Sequence, residues 1–84
     1  MQTPDGDDDL RLTFYCKDPD SKPDEDCATF YRTSRSTWIV QGDRREEPSV
    51  LAQLKALKAR ETAVEIPDAL VELFVRTYLK EIAQ

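Results

Sequence analysis

The spacing of apolar residues in this 84-residue chain changes sharply at Pro48. Before that proline, apolar and polar residues mostly alternate, which is typical of strands with one buried face. After it, apolar residues mostly recur every three or four positions, which is typical of amphipathic helices. The chain must therefore combine a sheet with helices, and its length allows one small domain.

The first strand is predicted over residues 10–16, where apolar and polar side chains alternate without a break. A strand turns successive side chains to opposite faces, so every second residue shares a face. We expect one of these faces to be buried. Its members are Leu10, Leu12, Phe14 and Cys16.

Two further strands are predicted over 27–33 and 37–41, because both segments contain β-branched and aromatic residues. The short polar segment 34–36 lies between them and favours a tight reversal. The two strands are therefore expected to form an antiparallel hairpin that ends at Gly42.

Two helices are predicted in the second half, each beginning at a proline, which the first helical position accepts without losing a hydrogen bond. The first begins at Pro48 and has basic residues toward its end, the last of them at position 60. Its apolar residues are Val50, Leu51, Leu54 and Leu57. A short strand over 62–66 precedes the second helix, which begins at Pro67 and ends near Ile82.

The predicted order of elements is β-β-β-α-β-α. This order predicts an α+β domain, built from a small, mostly antiparallel sheet with two helices packed on one face. We expect residues 10–84 to form this domain and residues 1–9 to form a disordered acidic tail.

The acidity of the chain is concentrated in its first third. Residues 1–27 hold nine acidic and three basic residues, a net charge of −6, whereas residues 28–84 hold eight acidic and nine basic residues, a net charge of +1. Residues 17–26 are expected to form a mobile loop. Solvated loops are the simplest interpretation. The alternative is an acidic decoy, similar to an antitoxin, that occupies a basic cleft through 1–9 and 24–26.

The second helix carries more apolar surface than one small sheet can cover. Its polar residues form a narrow line, in which Glu72 and Arg76 have the spacing of a helix ion pair. We expect a second copy of the chain, or a partner protein, to cover the remaining surface; packing by the first helix is the alternative. The expected interface residues are Leu70, Val71, Phe74, Val75, Tyr78, Leu79 and Ile82.

The residues that usually carry catalysis are scarce. The chain has no histidine, which removes the commonest general base and metal ligand. Cys16 and Cys27 cannot complete a zinc site alone, so they are either two structural thiols or a disulfide. We expect no enzyme activity, no catalytic residues, no metal and no cofactor. The lack of an apolar export signal or membrane span predicts a soluble, cytoplasmic protein.

Arginines surround the predicted hairpin, together with aromatic residues. A guanidinium group binds carboxylate or phosphate and stacks on aromatic rings, so these residues offer a second partner surface. The net charge of −5 opposes direct nucleic-acid binding. Solvation of the hairpin rim is the simplest interpretation, and Trp38 belongs either to the core or to a contact. The residues of this possible second partner surface are Arg32, Arg35, Trp38, Arg44 and Arg45.

Four stretches carry a resemblance to a known group. They are Cys-Ala-Thr-Phe-Tyr-Arg-Thr at 27–33, Thr-Trp-Ile-Val-Gln-Gly at 37–42, Pro48 to Leu51, and Glu-Thr-Ala-Val-Glu-Ile-Pro at 61–67. Across residues 10–70 the chain resembles BldB-like small actinobacterial regulatory proteins, which are encoded beside helix-turn-helix regulators. The resemblance implies a non-enzymatic developmental regulator that forms a homodimer and modulates a helix-turn-helix transcription regulator.

Overall fold

The computed structural model describes residues 9–20 and 27–84. In chain order the elements are β1 (Leu12–Lys17), β2 (Thr29–Thr33), β3 (Trp38–Gln41), β4 (Asp43–Arg44), α1 (Pro48–Leu51), β5 (Val64–Glu65) and α2 (Asp68–Ile82). The α+β class is confirmed, and β4 is an additional short strand. The predicted acidic tail and the acidic run 24–26 lie outside the described residues, apart from Asp9.

The main sheet is antiparallel throughout and has the order β1-β2-β3. The predicted hairpin is confirmed, because Phe30 pairs with Val40 and Arg32 pairs with Trp38. Its turn is closed by Thr33, whose amide donates to the Thr37 carbonyl at 2.9 Å. The hydroxyls of the same two threonines lie 2.6 Å apart, so the polar turn satisfies its own buried groups.

A bulge interrupts the first strand at Tyr15. Phe14 pairs with Tyr31 and Cys16 pairs with Phe30, so one residue of β1 has no partner in β2. An extra residue of this kind reverses the faces that later side chains occupy. The predicted face of Leu10, Leu12, Phe14 and Cys16 is therefore wrong: Cys16 is buried, whereas Phe14 is 58% exposed.

The core lies between the main sheet and α2. Leu70 is fully buried, and Phe74 stacks on Phe30 with ring centroids 4.3 Å apart. The rings of Trp38 and Tyr15 also contact the Phe74 ring edge-on, with centroid distances of 5.0 Å and 5.6 Å. Trp38 thus belongs to the aromatic core, and Phe74 is the residue through which the helix joins all three strands.

A second, two-stranded sheet pairs β4 with β5 in antiparallel register. Gly42 connects it to β3 and permits the close approach, since a Cβ there would lie 2.6 Å from the Glu65 carbonyl oxygen and 2.7 Å from Ile66 Cγ2. The predicted strand over 62–66 is present as Val64–Glu65. Gly42 therefore does not end the sheet structure but carries the chain from one sheet to the other.

The first helix is much shorter than the periodicity predicts. It is a single turn that ends at Leu51, and the following residues form turns in which Ala56 has a φ of 56°. Leu54 and Leu57 remain exposed. Short helices are marginal unless an apolar face is buried, and these leucines bury too little surface to extend the helix.

Candidate interaction surface

The outer face of α2 carries an apolar stripe. Val71, Val75, Leu79 and Ile82 are between 39% and 58% exposed. At 3.6 residues per turn these four side chains share one side of the helix, opposite the side that holds Leu70. We call them the α2 stripe. It lies away from the sheet, where a second molecule can reach it.

The predicted interface residues divide into two groups. Leu70 and Phe74 pack inside the chain, against the sheet. Tyr78 lies at the border: its ring stacks on Phe74 at 5.9 Å, yet the residue is 38% exposed. The α2 stripe supplies the remaining four residues, and these are the ones available to a partner.

The single turn of α1 leaves the α2 stripe open. The alternative expectation is that the first helix packs against this side of the second. That helix ends at Leu51, and all four stripe residues keep large exposed fractions. Within residues 9–20 and 27–84, this apolar surface therefore stays largely exposed.

Charged residues accompany the α2 stripe without forming ion pairs of their own. Glu72 and Arg76 have the correct spacing for a pair, but within residues 9–20 and 27–84 the ion pairs involve other residues. Asp68 and Lys80 are likewise exposed and without an ion pair there. The predicted Glu72–Arg76 pair is not formed.

A hydrogen-bonded cluster of Tyr15, Arg32 and Glu81 connects the last turn of α2 to the main sheet. The Tyr15 hydroxyl donates to Glu81 Oε1 at 2.8 Å, and Arg32 Nη2 lies 2.9 Å from both carboxylate oxygens. The guanidinium carbon of Arg32 also lies 4.6 Å from the Trp38 ring centre and 5.1 Å from that of Tyr15. Arg32 and Trp38, predicted as part of a partner surface, therefore contact other residues of the same chain.

This cluster shifts the pKa values of Glu81 and Tyr15. The hydrogen bond from Tyr15, followed by the hydrogen bond from Arg32, lowers the pKa of Glu81 below its ordinary value. Partial burial and the hydrogen bond to Glu81 raise the pKa of Tyr15. Both shifts favour a charged carboxylate and a neutral phenol. The hydrogen bonds of the group stabilise the fold.

The other predicted arginines lie elsewhere. Arg45 Nε donates to Glu65 at 2.7 Å and its Nη1 donates to Glu47 at 3.0 Å, and these contacts raise the pKa of Arg45. Arg44 lies 3.6 Å from Glu46 and is largely exposed. Arg35 is exposed in the hairpin turn. Thus Arg32 and Trp38 are brought together, whereas Arg44 lies in the second sheet and Arg45 directly follows its first strand.

A second apolar surface, on the outer side of the main sheet, was missed from the sequence. It contains Leu12, Phe14 and Ile39, which are 40% to 58% exposed. Phe14 meets the Tyr31 ring edge-on at 6.5 Å. The sequence gives no clear signal of this surface, because residues 10–16 alternate without a break when Tyr15 is counted as polar.

A depression with a volume of about 590 Å³ lies between the two sheets. Four acidic residues are among those that line it: Asp18, Asp20, Asp43 and Glu65. Among the described residues no group of three or more His, Cys, Asp or Glu side chains is placed to hold a metal ion. Cys27 lies at its wall but is not bridged to Cys16, whose pKa is raised by burial.

No family model matches the chain, and neither a curated protein nor a solved structure matches it. Across the described segments, no helix combines the length and apolarity needed to cross a membrane.

Proposed function

We propose that this chain is a non-enzymatic interaction module that acts in the cytoplasm as a homodimer joined through the α2 stripe. The observation that carries the proposal is the exposure of Val71, Val75, Leu79 and Ile82, at 39% to 58%. An apolar stripe along one side of a helix marks a contact with another protein more often than a solvated surface. A small domain also gains stability when a second copy covers such a stripe.

The role proposed for the dimer is the modulation of a DNA-binding regulator of the helix-turn-helix class. The resemblance over residues 10–70 supports this part of the proposal. Arg44 supports it as well, because its side chain is 74% exposed and its distance of 3.6 Å from Glu46 is long for an ion pair. An exposed guanidinium group can bind a carboxylate of a partner protein.

Two alternatives have less support. Direct nucleic-acid binding through the hairpin would require free guanidinium groups, but Arg32 is paired with Glu81, and Arg45 with Glu47 and Glu65. The decoy hypothesis depends on 1–9 and 24–26, which except for Asp9 lie outside the described residues.

Sedimentation velocity over a range of protein concentrations tests the dimer. Wild type should sediment as a dimer at micromolar concentration, and Leu79→Glu should sediment as a folded monomer because it places two charges in the interface. Leu54→Glu is the matched control, since Leu54 is 40% exposed and lies outside α2. That control should remain dimeric. A wild-type protein that is monomeric throughout would overturn the proposal.

The regulator is tested with immobilised wild type, Leu79→Glu and Arg44→Glu as baits in native lysate. Wild type should recover a DNA-binding protein whose purified form binds it directly. Each variant should recover less of that protein. Recovery of no DNA-binding protein, or equal recovery by all three baits, would contradict the regulatory role while leaving the dimer intact.

A further inference from the structure

The second sheet and the loop that joins its two strands have no buried core of their own. None of residues 43–66, all of which the structure describes, is buried. Three of the apolar side chains in this segment, Leu54, Leu57 and Val64, are 37% to 41% exposed. Leu70 of α2, by contrast, is fully buried. Apolar burial therefore contributes little to holding residues 43–66 in place.

Polar and charged side chains hold this segment together instead. Arg45 Nε donates to Glu65 Oε1 at 2.7 Å, and Arg45 Nη1 donates to Glu47 Oε2 at 3.0 Å. The Thr62 hydroxyl donates to the Glu46 carboxylate and closes the base of the loop. One guanidinium group thus connects β5 to the residue that precedes α1.

The two ends of the segment leave the main fold side by side. Gly42 precedes its first residue, and a Cβ at Gly42 would lie 2.7 Å from Cγ2 of Ile66, its last residue. Pro67 follows, and its carbonyl accepts a hydrogen bond of 3.0 Å from the amide of buried Leu70. A segment that leaves the core at one place, and buries little of itself, can open without unfolding the remainder.

We propose that residues 43–66 form a flap that opens as one unit between Gly42 and Pro67, and that Arg45 keeps it closed. The main sheet and α2 keep their packing when the flap opens, because their aromatic core is built from residues outside 43–66.

The closed state of the flap is sensitive to ionic strength. The side chains of Arg45 and Glu65 are 43% and 62% exposed, so dissolved ions reach them and screen their attraction. Opening takes Asp43 and Glu65 out of the wall of the depression between the sheets, and it moves Arg44 away from the main sheet. Low ionic strength therefore presents these side chains together more of the time. Arg45 lies outside α2, so it acts in a monomer and in a dimer alike.

Native-state hydrogen exchange tests whether the flap opens by itself. The Arg45 amide donates to the Ala63 carbonyl at 2.9 Å within the flap, whereas the Phe74 amide lies in the middle of α2 and reports the main fold. The opening constant at Arg45 should exceed that at Phe74 at least about 10-fold. Equal constants would overturn the proposal, because the flap would then open only when the whole chain unfolds.

The dependence of the same exchange on urea tests whether the flap opens as a unit. Opening of the whole segment exposes surface, so the free energy of opening at Arg45 should fall with urea, with a smaller slope than at Phe74. Independence from urea would indicate a fluctuation of one hydrogen bond and would also overturn the proposal.

Arg45→Gln tests the residue that keeps the flap closed. At low salt it should raise the opening constant about 2- to 5-fold, after correction for intrinsic exchange rates, and leave the Phe74 amide unchanged. Arg44→Gln is the matched control, since it removes the same charge from a neighbouring side chain that is 74% exposed and 3.6 Å from Glu46. The control should change the opening constant little.

Added salt provides the second measurement on these variants. About 0.5 M NaCl should raise the opening constant of wild type to that of Arg45→Gln and leave the variant unchanged, because the attraction that salt screens is already absent there. Circular dichroism checks that both variants are folded. Equal effects of the two substitutions, or a salt effect that persists in Arg45→Gln, would show that Arg45 does not keep the flap closed.

Discussion

The Tyr15 hydroxyl donates a hydrogen bond of 2.8 Å to Glu81 Oε1 and so joins the bulge of β1 to the last turn of α2, across 66 positions of the chain. The bulge makes this contact possible, because it turns Tyr15 toward the helix instead of letting it alternate with Phe14. Once Glu81 is fixed, the helix cannot rotate freely about its axis. The side that carries Val75 and Leu79 is therefore held away from the sheet.

Tyr15→Phe should lower the melting temperature, because it removes the hydrogen bond and retains the ring that packs on Trp38 and Phe74. Tyr31→Phe is the matched control, since the Tyr31 hydroxyl makes only a long contact of 3.4 Å with Gln41. Thermal denaturation measures both. A double-mutant cycle with Glu81→Gln should show coupling for Tyr15→Phe, and none for Tyr31→Phe.

The stability of the fold should fall in acid, in part through Glu81. The pKa of this carboxylate is lower in the folded state than its ordinary value of 4.5, chiefly because of the Tyr15 hydrogen bond. Its contribution is therefore fully present above that ordinary value, and is lost as the pH falls through the lowered folded pKa. Urea denaturation at a series of pH values measures the effect.

The difference in unfolding free energy between wild type and Glu81→Gln isolates this contribution, because other carboxylates, such as Glu47, also have a lowered pKa. That difference in free energy should shrink as the pH falls below 4.5 and through the lowered pKa of folded Glu81. A difference that stays constant with pH would mean that Glu81 is not the titrating group.

Phe74→Ala should destabilise the chain by about 3 kcal/mol, the lower end of the range for removing an aromatic side chain from a core. The ring contacts Phe30, Trp38 and Tyr15, so no other substitution of α2 removes as many aromatic contacts. Val75→Ala is the neighbouring control, at a position that is 46% exposed. Its effect on the monomer, measured by urea denaturation at high dilution, should stay below about 1 kcal/mol.

The amphipathic second helix and the hairpin can be predicted from the sequence because local patterns determine them. The stripe spacing of α2 and the polar turn at 34–36 each carry their own signal. The length of α1 cannot be predicted in this way. Leu54 and Leu57 have helical spacing, but the helix could form there only if the sheet offered them a surface, and it does not.

The division of the candidate site also depends on tertiary structure. The sequence identifies the apolar residues of α2, but which of them face the sheet depends on tertiary contacts, among them the one between Tyr15 and Glu81. That contact depends in turn on a bulge that no glycine or proline marks. A single extra residue in β1 reverses Leu12 and Phe14 to the outer side of the sheet, and local periodicity cannot report an insertion of this kind.

Gly42→Ala should destabilise the second sheet by about 1–3 kcal/mol, the usual cost of adding a methyl group to a packed site. The new Cβ would lie 2.6 Å from a backbone carbonyl oxygen of Glu65, an atom that cannot move without disturbing the pairing of β4 with β5. Hydrogen exchange at the Arg45 amide, which donates to Ala63 at 2.9 Å, should become faster than in wild type. Unchanged exchange and stability would contradict the prediction, because they would show that the backbone near Glu65 accommodates the methyl group without disturbing the pairing of β4 with β5.

Phe14→Thr should leave the unfolding free energy within about 1 kcal/mol of wild type, because the side chain is 58% exposed on the outer side of the sheet. Tyr15→Thr, one position along the same strand, should cost more, since it removes the aromatic contacts with Trp38 and Phe74 as well as the hydrogen bond to Glu81. Strict alternation along β1 predicts the reverse order. Urea denaturation of the two variants, both of which place the same β-branched residue in a strand, therefore decides whether the bulge is present in solution, and a larger loss for Phe14→Thr would show that it is not.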